Sequence, residues 1–150
     1  MTMYRKILVP LDGSADSASA LRHATALARD QNARLTLLAV CPMANKAAGL
    51  GAMAVPDRFE VYGALVREAA MSLPGDLGVT TQVLRGEPAA TIIKIAGRDG
   101  HDLVVMVSAG HGRVRRALLG SVSDRVMADA TIPVLLISAS GAESSPWYSC

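Results

Sequence analysis

The segment with the clearest capacity for chemistry begins at Ser108, ends at Ser121 and reads S-A-G-H-G-R-V-R-R-A-L-L-G-S. An apolar run, residues 103–107, precedes it, and the helical pattern of Val122, Val126 and Ala130 follows it. Glycines let backbone N–H groups approach an anion, while the helix behind them adds N–H groups and a partial positive charge. The spacing therefore predicts a strand, a glycine-rich loop and a helix that together bind phosphate.

The same loop carries three arginines, Arg113, Arg115 and Arg116. Guanidinium groups form charge-assisted hydrogen bonds with phosphate oxygens, so the cluster suits a phosphate site. A solvated basic surface explains the three residues equally well, and the sequence leaves both interpretations open.

Alternating strand and helix patterns occupy most of the chain. We predict strands over residues 6–11, 34–40, 79–84, 102–107 and 133–138 from their apolar or alternating character. Helices are predicted from 14 to about 32, from 57 to 73, from 88 to the 97–100 region, and after the glycine loop. The stretch 42–55 shows no clear periodicity and is predicted to be a mobile loop.

The first helix shows how these boundaries are set. Ser14 suits the N-cap position, Asp16 falls in the first turn, and apolar residues recur along one side. That side is predicted to consist of Ala18, Leu21, Ala24 or Thr25, and Ala28.

This alternation predicts parallel βαβ units with right-handed crossovers, and hence an open doubly wound α/β sheet. Ligands of such sheets bind beyond the carboxyl ends of the strands. Three strand ends are expected to converge there, at Pro10, Leu11 and Asp12 after the first strand, at Val40 after the second, and at Ser108 after the fourth.

Composition narrows the class of protein further. A chain of 150 residues fits one domain that buries roughly 68–70% of its unfolded surface. We place this domain at residues 1–140, with a disordered tail at 141–150.

The net charge of +2 does not indicate nucleic-acid binding. No apolar run approaches the roughly 20 residues of a membrane span, so we expect a cytoplasmic protein without membrane contact. Cys41 and Cys150 lack metal-site spacing, and Cys41 is interpreted as structural.

The glycine loop with its closing L-L-G-S, followed by T-I-P-V-L-L-I, resembles the phosphate loop of the universal stress protein family. The resemblance extends across nearly the whole chain. It implies a Rossmann-like, five-stranded parallel sheet of order 3-2-1-4-5 and an adenine-nucleotide site. The ligand implied is ATP, or ADP or AMP, with Mg²⁺ or Mn²⁺ on the phosphates. The implied role is stress response or signalling by binding. We expect no enzyme, since the chain shows no evident base and no P-loop motif, and the sequence leaves weak ATP hydrolysis open.

The resemblance also implies which residues hold the nucleotide. Asp12 and the backbone at Val40 match positions that face the adenosine in the family. The phosphates would be held by the glycine loop and the start of the next helix, through Gly110, Gly112, Arg113, Gly120, Ser121 and Val122.

Two of these residues have simpler explanations. Asp12 stands beside Gly13 and Ser14, where a carboxylate often caps a helix start, and one carboxylate could both cap and contact a ligand. Ser121 opens S-V-S-D, which is close to a capping box, so capping is a better explanation than catalysis.

The glycine spacing departs from the pattern of nucleotide-binding members of the family. Those members carry G-x-x-G and then, after nine residues, Gly-Ser or Gly-Thr. Here Ala109 occupies the first glycine position, although Gly110 beside it could compensate, and seven residues separate Gly112 from Gly120. A family member that binds no nucleotide and acts by dimerisation is therefore the alternative.

An enzyme of the ATP-pyrophosphatase type is less well supported. D-G-S-A-D-S at residues 12–17 is superficially similar to the S-G-G-x-D-S pyrophosphate loop of those related folds. Asp12 would place a carboxylate beside the anion, which electrostatics disfavours.

The last predicted strand, when Ile132 is included, runs from Ile132 to Ser138. It is apolar and would lie at a sheet edge. Members of the family commonly pair through this strand, so a homodimer is the implied partner. In a twofold contact, Val134 and Ile137, or Leu135 and Leu136, would meet their copies according to register.

Overall fold

The computed structural model describes residues 3–43, 58–108 and 121–138. Within them lie five strands, β1 (Lys6–Pro10), β2 (Arg34–Cys41), β3 (Val79–Arg85), β4 (Leu103–Ser108) and β5 (Val134–Ser138). Four helices alternate with them, α1 (Ala15–Gln31), α2 (Phe59–Met71), α3 (Pro88–Arg98) and α4 (Ser121–Asp129).

The five strands form one parallel sheet of order β3-β2-β1-β4-β5. In the centre of the sheet, Ile7 of β1 pairs with Leu35 of β2 on one side and with Leu103 of β4 on the other. The predicted fold class and strand order are confirmed.

Strand alternation divides the apolar residues into two cores, one on each face of the sheet. Ile7 and Val9 of β1 belong to the core beneath α1 and α2, whereas Leu8 belongs to the core beneath α3 and α4. All three side chains are fully buried. A strand covered on both faces reads as a continuous apolar run, which is why the sequence identified β1 so directly.

The helix ends follow from local hydrogen bonding. Ser14 caps α1 by accepting a hydrogen bond from the backbone N–H of Ser17, and Asn32 ends the helix in the left-handed region with φ of 57°. At α3, Pro88 occupies the first turn, and the carboxylate of Glu87 accepts from the backbone N–H groups of Ala89 and Ala90. The Ser14 cap and the Pro88 start were predicted, while the Glu87 cap was not.

The amino-terminal ends of β1 and β4 are joined by Asp102. Its Oδ2 accepts hydrogen bonds from the backbone N–H groups of Arg5 at 2.7 Å and Lys6 at 3.0 Å. The neighbouring His101 is 4% exposed, and its Nδ1 lies 3.3 Å from the carbonyl oxygen of Ile95. Its Nε2 is buried without a hydrogen-bond partner among the described residues.

Some predicted details were wrong. Ala18 is exposed, and the buried side of α1 instead contains Ser17, Ser19 and Ala20 together with Leu21, Ala24 and Ala28. The helix turns its small residues inward, where hydrophobicity alone gives a weak signal. β5 begins at Val134, later than Ile132 or Pro133, because proline has no N–H group to donate to a strand partner.

Several predictions fall on residues outside the described ranges. They include the greater part of the loop at 42–55, the glycine loop from 109 to 120, and the tail at 141–150. The domain boundary at 140 stays a prediction for the same reason. No helix among the described residues is long and apolar enough to cross a membrane.

Candidate functional site

A cavity of about 440 Å³ opens at the carboxyl ends of the central strands. It lies at the position where the strand order reverses, with α1 following β1 on one face and α3 preceding β4 on the other. Parallel sheets bind ligands at this switch point because the loops diverge there and leave a crevice. The residues lining it are Pro10, Leu11, Asp12, Ser14, Asp16, Ser17, Leu38, Val40, Pro42, Tyr62, Pro88, Ile92, Met106, Val107, Val122 and Ser123.

The wall formed by the start of α1 is polar and acidic. The Oδ1 atom of Asp12 accepts hydrogen bonds from the backbone N–H of Ser14 at 2.9 Å and from the Ser14 hydroxyl at 2.6 Å. Ser14 in turn accepts from the N–H of Ser17 at 3.1 Å and so caps the helix. Asp12 therefore orients the cap without capping the helix directly.

Backbone geometry makes this turn possible. Gly13, between Asp12 and Ser14, has φ of +88°, a conformation that residues with a Cβ rarely adopt. The turn leaves Asp12 exposed beside the cavity. Asp16, in the first turn of α1, adds a second exposed carboxylate to the same wall.

The floor and the opposite wall are apolar. Leu38 and Val40 of β2, Met106 of β4 and Ile92 of α3 line the cavity and belong to the core between the sheet and α3 and α4. Val40 is 8% exposed and Met106 is 6% exposed, so both contribute surface without leaving the core. A flat apolar group fits this floor better than a charged one.

Two further helix starts reach the cavity. Pro88 brings the start of α3 to it, but the N–H groups of Ala89 and Ala90 are already bound to the carboxylate of Glu87. Glu87 also forms an ion pair with Arg125 of α4. The helix α4 begins at Ser121 and contributes Val122 and Ser123 to the cavity wall.

The structure places the predicted site residues in three groups. Five of them line the cavity, namely Pro10, Leu11, Asp12, Val40 and Val122. Ser108 ends β4 directly after Val107, which lines the cavity, and Ser121 is the first residue of α4. The other five lie outside the described residues, namely Ala109, Gly110, Gly112, Arg113 and Gly120. The capping role of Ser121 is not tested, because its side chain is not described.

Sequence reasoning missed the rest of the lining. Leu38 and Met106 could have been found, because each stands on a predicted strand two residues from that strand's end or nearer to it. Ile92 lies within the predicted third helix, but nothing in the sequence showed that its side chain would face a ligand. Tyr62 of α2 gave no signal, since only tertiary packing brings it to the cavity.

Metal-binding side chains do not gather in the described part of the chain, where no group of three His, Cys, Asp or Glu residues could hold an ion. Cys41, at the end of β2, is 3% exposed, and its Sγ contacts the carbonyl of Pro42 at 3.8 Å. This burial agrees with the structural interpretation of Cys41.

Comparison with known proteins decides the family. Residues 3–138 match the model of the universal stress protein family. The chain belongs to this family. Among its relatives, the universal stress protein YxiE of Bacillus subtilis is 34% identical over 147 residues, with 90% of this chain and 99% of YxiE covered.

Solved structures of the family share the fold. A universal stress protein in complex with cAMP matches with a TM-score of 0.70 at 23% identity, over 93% of this chain and 100% of its own. The universal stress protein of Archaeoglobus fulgidus in complex with dAMP matches with a TM-score of 0.58 at 19% identity, over 91% of this chain and 99% of its own. At these identities the likeness concerns the fold.

Proposed function

We propose that this chain binds an adenine nucleotide, ATP or its hydrolysis products ADP or AMP, in the cavity at the carboxyl ends of β1, β2 and β4. A divalent cation, Mg²⁺ or Mn²⁺, accompanies the phosphates. The bound nucleotide changes the shape or the partners of the protein, which acts in stress response by binding and not by catalysis.

The observation that carries this proposal is the combination of place, size and chemistry in one cavity. It lies at the switch point of a doubly wound sheet, and its volume of about 440 Å³ falls in the range of small-molecule sites, roughly 300–1,000 Å³. Its floor is apolar, and three helices begin at its rim. A nucleotide has both a flat apolar part and an anionic part, and this cavity offers a surface for each.

Two structural relatives support the choice of an adenine nucleotide. One was solved with cAMP and the other with dAMP. Both ligands contain an adenine base, a sugar and a phosphate, which is the chemistry that an apolar floor and helix N-termini accommodate.

The deciding experiment is calorimetric titration of the purified protein with ATP and Mg²⁺, alongside chromatography of any nucleotide released by acid extraction. Val107→Trp places an indole into the cavity wall and is expected to weaken ATP binding at least tenfold. Val61→Trp is the matched control, because Val61 is 60% exposed on α2 and does not line the cavity. Gly112→Val, in the segment outside the described residues, tests the phosphate loop in the same way.

Wild-type protein without bound nucleotide and without heat of binding would contradict the proposal. Equal loss of affinity in Val107→Trp and Val61→Trp would also contradict it, because the loss would then not originate in the cavity.

A second candidate function is a family member that acts through dimerisation without a nucleotide. Leu135 favours it, since this large apolar side chain on the edge strand β5 remains 40% exposed. The outer edge of β5 has no strand partner among the described residues. A dimer that forms normally while no adenine nucleotide binds would favour this candidate over the first.

A further inference from the structure

The charges around the cavity define which end of it can accept phosphate. Asp12 and Asp16 place two carboxylates on the wall formed by α1. Like charges repel, so an anionic group avoids that wall. Val122 and Ser123 line the cavity at the start of α4, where the helix dipole attracts an anion. A nucleotide with its phosphates toward α4 must place its nucleoside toward α1 and α2.

Tyr62 is the side chain that α2 contributes at that nucleoside end. It is half-buried, packs on the core beneath α1 and α2, and lines the cavity. The chain contains one Phe, one Trp and three Tyr, and Tyr62 is the aromatic residue among the lining residues. In a chain so poor in aromatic rings, this placement provides a stacking surface that no other described lining residue supplies.

The position of Tyr62 is fixed from both sides along α2. One turn before it, the ring of Phe59 lies 4.5 Å from the guanidinium carbon of Arg85 at the end of β3. One turn after it, Leu65 lies beside the turn at Gly13, close enough that a methyl group on Gly13 would stand 3.8 Å from its Cδ2. These two neighbours hold the first two turns of α2 close to β3 and to the turn at Gly13, and so keep Tyr62 at the cavity wall.

We propose that Tyr62 holds the base: its ring packs against the face of the purine of a nucleotide bound in the cavity. This inference rests on the proposed nucleotide function and adds to it the residue that recognises the base. Stacking on an aromatic ring needs only a π-face, so Tyr62 strengthens binding of purine nucleotides generally and does not by itself separate adenine from guanine.

The test compares four proteins by calorimetric titration with ATP and Mg²⁺. Tyr62→Leu keeps an apolar contact with the core but removes the ring, and we expect about tenfold weaker ATP binding from the loss of stacking. Tyr62→Phe keeps the ring and is expected to bind within about twofold of wild type. Tyr4→Leu removes a partly buried tyrosine ring that packs on the same core but does not line the cavity, and it is expected to bind like wild type.

A second measurement uses only the wild-type protein, so its result does not depend on whether a variant folds. Photolysis with 8-azido-ATP, followed by trypsin digestion and mass spectrometry, is expected to place an adduct within residues 59–67, the peptide that contains Tyr62. Excess ATP should suppress this adduct.

The outcomes separate this inference from the proposed function. Wild-type protein that binds no ATP contradicts the proposed function and removes the basis of this one. If the wild type binds ATP, three results would each overturn only the role of the Tyr62 ring. These are an unchanged affinity in Tyr62→Leu, equal losses of affinity in Tyr62→Leu and Tyr62→Phe, and adducts confined to other peptides.

Discussion

Asp12, Ser14 and Ser17 form a short chain of hydrogen bonds in which each residue serves the next. The carboxylate of Asp12 accepts from Ser14, and the hydroxyl of Ser14 accepts from the N–H of Ser17 in the first turn of α1. The two explanations considered for Asp12, a local structural role and a ligand contact, are thus compatible. Its hydrogen bonds to Ser14 both use Oδ1, and the residue is exposed at the cavity.

Replacing Ser14 by alanine removes the cap of α1 and the acceptor for the N–H of Ser17. We expect the free energy of unfolding to fall by about 1 kcal/mol, the usual cost of losing an N-cap. Urea denaturation followed by circular dichroism measures this change. Ser72→Ala is the control: its exposed hydroxyl donates to the carbonyl of Ala69 after α2, and we expect a change within about 0.5 kcal/mol. Equal effects of the two substitutions would show that the Ser14 cap adds nothing specific.

His101 is a buried titratable residue at the opposite end of the sheet from the cavity. Burial, and next the charge of Lys6, lower the pKa of His101 from its ordinary value of 6.5. The carbonyl of Ile95 and the carboxylates of Asp99 and Asp102 act in the other direction but less strongly. The carbonyl at Nδ1 can only accept, so that nitrogen carries the proton of the neutral ring.

This lowered pKa predicts a loss of stability in mild acid. As the pH falls through 6.5, the unfolded chain takes up a proton on His101 before the folded chain does, so the free energy of unfolding decreases. Urea denaturation at about pH 7.5 and about pH 5.5 measures the difference. His101→Asn is expected to reduce this difference, while His23→Asn, at an exposed position on α1, is expected to retain it. A pH dependence unchanged by His101→Asn would contradict the assignment.

At the scale of the element, most strand and helix limits were predictable because apolar pattern, capping residues and prolines agreed with one another. β2 and β3 each extend one residue beyond their predicted ends, and α3 starts at Pro88 as expected. The prediction that Ala18 lies on the buried side of α1 was wrong because alanine is compatible with either side of a helix. Tyr62 and Ile92 could not be assigned to the cavity, since their positions depend on the packing of α2 and α3 against the sheet.

The carboxylate of Asp102, just before β4, supports the pairing of β1 with β4 through its two hydrogen bonds to the start of β1. Asp102→Ala leaves the N–H groups of Arg5 and Lys6 without that acceptor, and we expect the free energy of unfolding to fall by roughly 1.5–3 kcal/mol. Thermal and urea denaturation measure the loss. Asp99→Ala provides the comparison, because Asp99 pairs with the largely exposed Arg98 and such pairs contribute up to about 1 kcal/mol. A smaller loss in Asp102→Ala than in Asp99→Ala would contradict the role of Asp102.

At the scale of the whole molecule, the edge strand β5 sets how copies of the chain can associate. Val134 and Leu136 face the core beneath α3 and α4, and Ile137 packs on the opposite core. Leu135 keeps its side chain 40% exposed. Exposed apolar edge strands pair with other chains unless they are covered, so β5 provides a physical basis for the proposed dimer.

Leu135→Lys is expected to shift the protein from dimer to monomer, because a charge on β5 opposes edge-to-edge pairing. Size-exclusion chromatography with light scattering measures the mass. Val61→Lys serves as the control, since Val61 is 60% exposed on α2, away from β5. Wild-type protein with the mass of one chain, or a dimer that survives Leu135→Lys, would exclude an interface centred on this residue.

The strand order also dictates when during synthesis the cavity can exist. β3, β2 and β1 are neighbours in the sheet and lie within the first 85 residues. The ribosome therefore releases these three strands before β4 and β5. Until β4 emerges, Ile7 lacks Leu103 and β1 has an open apolar edge. The pairing of β1 with β4 joins residues far apart in the sequence and is therefore slow to form. Until it forms, the three-stranded sheet of β3, β2 and β1 is exposed to aggregation. Met106 and Val107 of β4 and Val122 and Ser123 of α4 line the cavity. A nascent chain therefore cannot bind ligand there until β4 has paired with β1 and α4 has formed.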